Sequence, residues 1–268
     1  MIIIGEKING SIPATAKAIA EKNADYIRKI AKDQTEANAD YLDICASVNE
    51  GELDMVKWLI DLAQEVSDLP ICIDSPDEQI CVDAIPFCNK VGIINSISLE
   101  GKKADIILPA IKDTKWGCVA LLCDDKGIPK DAATRIEIFK KIMGRCEALN
   151  IAPNRMYIDP LVETLGTNTE SLLTFVDTSR QIKELYPDVH ITSGLSNISF
   201  GLPGRKMINM AFMTLAMYAG MDSAIVDPTN RDMMGAIYAT AALMGDDFYC
   251  MEYINAFREN LIGPAPKA

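Results

Sequence analysis

The chain reads as an α/β protein, a closed barrel of eight strand–helix units, and three observations point there. Short apolar runs alternate with stretches of helical periodicity from residue 2 to about residue 244. The length of 268 residues is close to the roughly 250 that a single barrel occupies. Hydrophobic residues make up 49% of the chain, as expected where strands are buried on both faces. Open doubly wound sheets share the alternation, but a dinucleotide fold usually announces a Gly-rich first turn, and Gly5-Glu6-Lys7-Ile8-Asn9-Gly10 is not GxGxxG. No linker or low-complexity insert interrupts the repeat, so residues 1–268 are expected to form one domain.

Residues 2–5 form the first expected strand, followed by the polar loop Glu6 to Ser11 and a helix over about 23–38. The second unit pairs Tyr41-Leu42-Asp43-Ile44-Cys45 with a helix whose stripe is Leu53, Val56, Leu59, Ile60, Ala63 and Val66, at spacings of three or four for most steps. Strand 71–74 precedes the stripe Ile80, Cys81, Ala84, Ile85 and Cys88, and strand 91–95 precedes the one around Ile106, Ile107, Ala110 and Ile111. A fifth strand at 117–123 leads through the turn-rich 124–129 into a helix capped by Asp131. Strands at 156–160, 190–194 and 223–227 complete the eight, with helices at about 169–185, 205–219 and 231–244. An extra C-terminal helix is expected at about 247–260, and the Gly263-Pro264-Ala265-Pro266 tail is expected to fray. Met207, Met210, Met213 and Met217, at helical spacing, are expected to fill the core.

Four of the apolar runs end on a polar residue: Asp74, Asn95, Asp159 and, after Ser193-Gly194-Leu195-Ser196, Asn197. A buried strand has no packing use for such a group, since desolvating it without a partner costs roughly 2–7 kcal/mol. Each one alone could cap the following helix, but four together describe a ligand site, and in strand–helix repeats the ligand lies at the C-terminal ends of the strands. Two carboxylates beside two amides offer donors and acceptors together, a set suited to a flat heterocycle with an alternating hydrogen-bond edge such as a pterin. A carboxylate accepts from the amino group and ring NH of that edge in a bidentate manner.

The net charge of −12 opposes the phosphate contacts that nucleic-acid binding requires, and no apolar run reaches the length of a membrane span. Neither nucleic acid nor membrane is an expected partner. The eight cysteines are scattered without a CxxC pair and His190 is the sole histidine, so no zinc site and no Cys/His or Ser/His/Asp device is expected. Free thiols and the absence of a leader pattern at Met1 to Glu6 point to a cytoplasmic location. His190 falls near the start of its strand, at the barrel end opposite the polar endings, and is expected to be structural.

Gly5-Glu6-Lys7-Ile8-Asn9, Ile73-Asp74-Ser75, Ile94-Asn95-Ser96, Tyr157-Ile158-Asp159-Pro160 and Gly194-Leu195-Ser196-Asn197 together resemble the pterin-binding methyltransferases. That family includes the methyltetrahydrofolate:corrinoid protein methyltransferases and the folate domain of cobalamin-dependent methionine synthase. The resemblance implies a TIM barrel, a pterin ring held by Asp74, Asn95 and Asp159, and a catalytic Asn197 bonded to the ring nitrogen that carries the methyl group. Arg205 matches a basic position of the family, and Asp43 and Glu6 would support the site. Tetrahydrofolate or methyltetrahydrofolate is then the substrate, and cobalamin resides on a separate corrinoid-binding protein, because this chain has no Asp-x-His-x-x-Gly motif. A homodimer is also implied. The direction of methyl transfer does not follow from these residues.

Two positions depart from the family pattern: Cys45 where relatives often have Asn, and Phe200 where some have Gln. The alternative enzyme is a dihydropteroate synthase, which needs a cationic diphosphate loop. Ser199 to Arg205 offers for that one Arg and a helix N-terminus. A non-catalytic pterin-binding protein would use the same ring-holding residues. Lys126 and Gly127 lie on a loop that is either a substrate lid or an ordinary turn.

Overall fold

A computed structural model describes residues 1–48 and 50–264. Its strands are β1 (Ile2–Asn9), β2 (Tyr41–Cys45), β3 (Ile71–Asp74), β4 (Ile93–Leu99), β5 (Gly117–Asp124), β6 (Met156–Asp159), β7 (His190–Ile191) and β8 (Ser223–Val226). The helices are α1 (Pro13–Ala20), α2 (Ala24–Glu36), α3 (Glu52–Gln64), α4 (Glu78–Ala84), α5 (Lys103–Ile111), α6 (Ala132–Ala148), α7 (Ser171–Leu185), α8 (Arg205–Tyr218), α9 (Arg231–Met244) and α10 (Met251–Arg258). Consecutive strands pair in parallel from β1 to β7, and β8 pairs with β1. The last seam, between β7 and β8, closes through single bonds: Asp222 N–H to the Ile191 carbonyl (3.2 Å) and Ile225 N–H to the Ser193 carbonyl (3.3 Å). The eight-stranded TIM barrel expected from the alternation is therefore present, with α10 as the extra helix.

Two apolar regions follow from the alternation of side chains along each strand. Ile4, Cys72, Ile93, Val119 and Tyr157 fill the barrel interior. The other faces of the strands pack on the helix stripes, including Val56, Leu59 and Ile60 of α3 and Phe139 and Ile142 of α6. Close approach sets one local requirement: a Cβ on Gly92 would lie 1.9 Å from the Ile71 carbonyl oxygen, so only glycine fits at the entry to β4.

Several boundaries differ from the expectations, each for a local reason. β1 runs on through Asn9 with a bulge between Gly5 and Ile8, so Glu6 to Asn9 are strand and not loop. Helix α1 is too short and Ala-rich to show periodicity, and Pro13 starts it. The segment expected as one helix over 247–260 breaks at Tyr249 and Cys250, which both have positive φ, into a 3₁₀ turn and α10. Arg231 bonds the carbonyls of Ile262, Gly263 and Pro264, so those two tail residues are held and do not fray. Ala265 and Pro266 lie outside the described residues. Met213 and Met217 are core, but Met207 sits about 120° around α8 from Met213 and is exposed.

Candidate functional site

Strand alternation aims Glu6, Asp43, Asp74, Asn95, Asp159 and Asp227 into the barrel, because Ile4, Tyr41, Cys72, Ile93, Tyr157 and Ile225, each two residues earlier, pack on its inner cluster. Asp74 and Asp159 end their strands, Asp227 follows β8, and Asn95 is level with Asp74 in register, so they mark one rim. Asp74 pairs in register with Cys45 on one side and Asn95 on the other. Asp43 lies one step deeper, 1% exposed, and accepts a hydrogen bond from Asn95 Nδ2 (3.4 Å). Asn95 is not a strand end, since β4 continues to Leu99.

An ionised Asp43 at this depth would carry a desolvation penalty of several kcal/mol. Burial, reinforced by the Asp74 charge, holds its carboxyl well above the usual carboxylate range. Burial also raises Asp74 to about 6; the neighbouring Cys45 thiol pulls down, the Glu52 charge pushes up, and the nearby Asp43 carboxyl pulls down. The Cys45 thiol is itself pushed up to about 12, chiefly by burial, so it is a donor and not a thiolate. Asn95 and Asp43 are thus joined by a hydrogen bond, with the Asp74 carboxyl beside them in register with Asn95.

Across the mouth, Asp159 is 6% exposed and accepts from Leu161 N–H (2.7 Å) and Gly194 N–H (3.4 Å). Burial raises its pKa to about 6, opposed by those two bonds and by the Arg135 charge. Asn197 does not end a strand: β7 stops at Ile191, and a 3₁₀ turn over Leu195–Ser199 presents the residue to solvent. Its Nδ2 lies 3.8 Å from where a Cβ on Gly194 would stand, next to the residue that bonds Asp159. Arg205, at the start of α8, donates to the Ser196 carbonyl (2.8 Å) and to Ser199 Oγ (3.0 Å), which braces the turn that carries Asn197.

Glu6 is half-buried and raised to about 7 by burial and then by Asp227, with Lys7 and the Asp227 N–H acting the other way. Lys7 pairs with Asp227 (3.3 Å). Sequence reasoning passes over Asp227, although it follows the apolar run Ala224-Ile225-Val226 just as Asp74 follows its own. Gly10, which closes the Gly5 to Gly10 motif, lies against the second strand: a Cβ there would be 2.2 Å from the Ala46 carbonyl oxygen. Lys126 and Gly127 form a tight turn, Gly127 N–H to Asp124 carbonyl (2.7 Å), tied to the neighbouring loop by Gly101 N–H on Asp125.

His190 stands at the opposite end, stacked on Tyr157 at 4.7 Å and 3.2 Å from Asp222. A cavity of about 390 Å³ opens at that end around Tyr41, Gly92, Lys115, Arg155 and Tyr157. It contains none of the six inward polar residues of the other rim. Its Arg155 spends its donors on the carbonyls of Ile111, Lys112 and Trp116. The perturbed carboxyls, not this cavity, mark the chemically equipped end.

The family model described as pterin binding enzyme matches residues 13–227. A methylcorrinoid:tetrahydrofolate methyltransferase of Eubacterium limosum is 51% identical over 267 residues, 98% of each chain. A methionine synthase of Mycobacterium tuberculosis is 31% identical over 254 residues, covering 86% of this chain but 21% of that protein. Among solved structures, a Yersinia pestis dihydropteroate synthase superposes with a TM-score of 0.67 at 15% identity, over 91% of this chain and 94% of that one, a likeness of fold alone. With its barrel, its polar rim and these matches, the chain belongs to the family of pterin-binding enzymes.

Proposed function

We propose that this protein is a methyltransferase that moves a methyl group between a corrinoid protein and tetrahydrofolate, acting as one domain over residues 1–268. The single observation that carries the reading is the near full-length match to a methylcorrinoid:tetrahydrofolate methyltransferase, and it favours tetrahydrofolate as the acceptor. The donor set fits the substrate. Ionised Asp74 and Asp159 accept from the amino and ring NH groups of a pterin, and the amide of Asn95 faces the same mouth. Cobalt, bound on the partner, supplies the methyl as an electrophile and keeps the electron pair. The ring nitrogen attacks the methyl and its proton passes to solvent at the open rim, while Asn197 orients the nitrogen lone pair and, in the reverse sense, donates to it as it departs. The barrel contributes position and electrostatics, so no side-chain nucleophile is needed.

A corrinoid-binding protein is the macromolecular partner, and it approaches the rim where Asn197 is exposed. The protein acts in the cytoplasm, a reading supported by its eight free cysteines. Two copies form a homodimer across α8, α9 and α10, which pack side by side. Tyr218, Leu243, Phe248, Tyr249 and Phe257 leave this face apolar, with Phe248 and Tyr249 each 80% exposed. At about 150–250 Å² per aromatic ring, covering these four rings and their neighbours gives most of the ~800 Å² per partner of a standard interface.

The activity is tested spectroscopically with free methylcobalamin and tetrahydrofolate. Formation of cob(I)alamin with stoichiometric methyltetrahydrofolate is expected. A folded protein that catalyses this in neither direction, yet consumes p-aminobenzoate with a pterin diphosphate, would be a dihydropteroate synthase.

A further inference from the structure

We propose that Arg135 is a positioning residue for the pterin site: by holding the Leu161 carbonyl it fixes the Leu161 N–H that orients the Asp159 carboxylate. The inference rests on Asp159 being a ligand of the pterin ring. Arg135 sits in the first turn of α6 and is fully buried. Among the described residues no carboxylate forms a salt bridge with it. Burying a guanidinium that no carboxylate bonds directly is costly, and an apolar side chain would fill the same space without that cost. Its bonds instead go to two main-chain oxygens on different loops. Nε donates to the Pro129 carbonyl (3.0 Å), after β5, and Nη1 to the Leu161 carbonyl (2.9 Å), after β6. Nη2 is buried without a partner.

Leu161 is the pivot of this arrangement. Its φ of +69° is unfavourable for a residue with a side chain, and such a conformation persists only where the surroundings impose it. Here both of its main-chain groups are held: the N–H by Asp159 Oδ1 at 2.7 Å, the carbonyl by Arg135 at 2.9 Å. Gly194 N–H holds the other Asp159 oxygen. Releasing the carbonyl lets Leu161 leave the left-handed region and swing its N–H away, so the carboxylate loses the shorter of its two bonds. The charge of Arg135, buried nearby, also favours the ionised form of Asp159. The same guanidinium ties the 124–129 turn to this clamp through Pro129.

The test is calorimetric titration of tetrahydrofolate into the full chain carrying Arg135→Met, Arg135→Lys, Asp159→Asn or the Arg135→Met/Asp159→Asn pair, with melting curves for each. Arg135→Met is expected to raise Kd at least tenfold in the wild-type background and less than twofold in the Asp159→Asn background, because its effect ends on that carboxylate. Arg135→Lys keeps the charge and can reach one carbonyl, so an intermediate loss is expected, again confined to the background with Asp159. Should Arg135→Met fail to fold, Arg135→Lys compared in the same two backgrounds decides the question alone. Losses that multiply in the double variant, or an Arg135→Lys protein that binds as wild type, overturn the inference. A wild-type protein that does not bind tetrahydrofolate defeats the pterin reading itself and this inference with it.

Discussion

Asn197 is the residue on which turnover should depend most. It is exposed on a turn braced by Arg205, so removing its amide leaves the fold and the three residues proposed to hold the ring in place. Asn197→Ala is expected to lower kcat by about 10²–10³-fold, the usual effect of losing one transition-state donor, with a change in tetrahydrofolate Kd below about tenfold. Single-turnover rates beside titrations would separate the two, and an equal loss in both would indicate a carrier. Asp43 offers a second residue-level check, because burial and the Asp74 charge favour its neutral form. Asp43→Asn keeps the size of the side chain and an acceptor for Asn95, so affinity should stay within about threefold, whereas Asp43→Ala leaves the Asn95 amide without that partner and should lose affinity by about tenfold or more. The pH dependence follows from Asp74 and Asp159, both raised to about 6: pterin affinity should fall as pH drops through 6 and the acceptors become protonated. For stability the sign is opposite. A carboxyl raised by burial stabilises the ligand-free fold fully below its unfolded value of about 4 and loses that contribution as pH rises through 6, or through 7 for Glu6. The melting temperature of the free protein should therefore decline between pH 5 and pH 8, and a rise over that window would refute the assignment.

At the scale of elements, the sequence is most informative where side-chain period and strand end coincide. Asp74 and Asp159 close β3 and β6 as expected, because four-residue runs such as Ile71-Cys72-Ile73-Asp74 have little room for another boundary. Asn95 and Asn197 stand out in the sequence for the right reason but belong to different local structure from that expected. β4 continues to Leu99 past an irregularity between Asn95 and Ile97 that moves Ile97 to the outer core, and β7 yields early to a 3₁₀ turn that no periodicity marks. Asp227 and Cys45 are legible as residues, but their contacts with Lys7 and Asp74 depend on register between strands, which pairwise geometry decides and composition does not. Arg135 is invisible in the sequence, since an Arg in a first helical turn looks like any solvated surface charge. Close packing at the strand entries gives an element-level test: Gly92→Ala places a methyl against the Ile71 carbonyl and should cost about 1–3 kcal/mol or more in denaturant unfolding. An unchanged midpoint would mean that β3 and β4 are not packed as described.

For the molecule as a whole, the acidic surface and the polar rim make separate demands. A net charge of −12 opposes the approach of copies, so the proposed homodimer depends on the apolar face over α8 to α10. Phe248→Glu with Tyr249→Glu should convert the proposed dimer to a monomer in sedimentation at micromolar concentration, with methyl transfer to free cobalamin retained because both residues follow the end of α9 remote from the rim. Barrel closure is legible from eight uninterrupted units, yet the weak seam between β7 and β8 is not, and it lies beside the turn that carries Asn197. The central claim is that Asp74, Asn95, Asp159 and Asn197 converge on one pterin at the C-terminal rim. A crystal structure of the protein soaked with tetrahydrofolate tests it most directly: the pterin ring should lie within hydrogen-bond distance of Asp74, Asn95 and Asp159, with Asn197 facing the methyl-accepting nitrogen. A ring bound instead in the cavity at the other end, against Tyr41 and Tyr157, would contradict it.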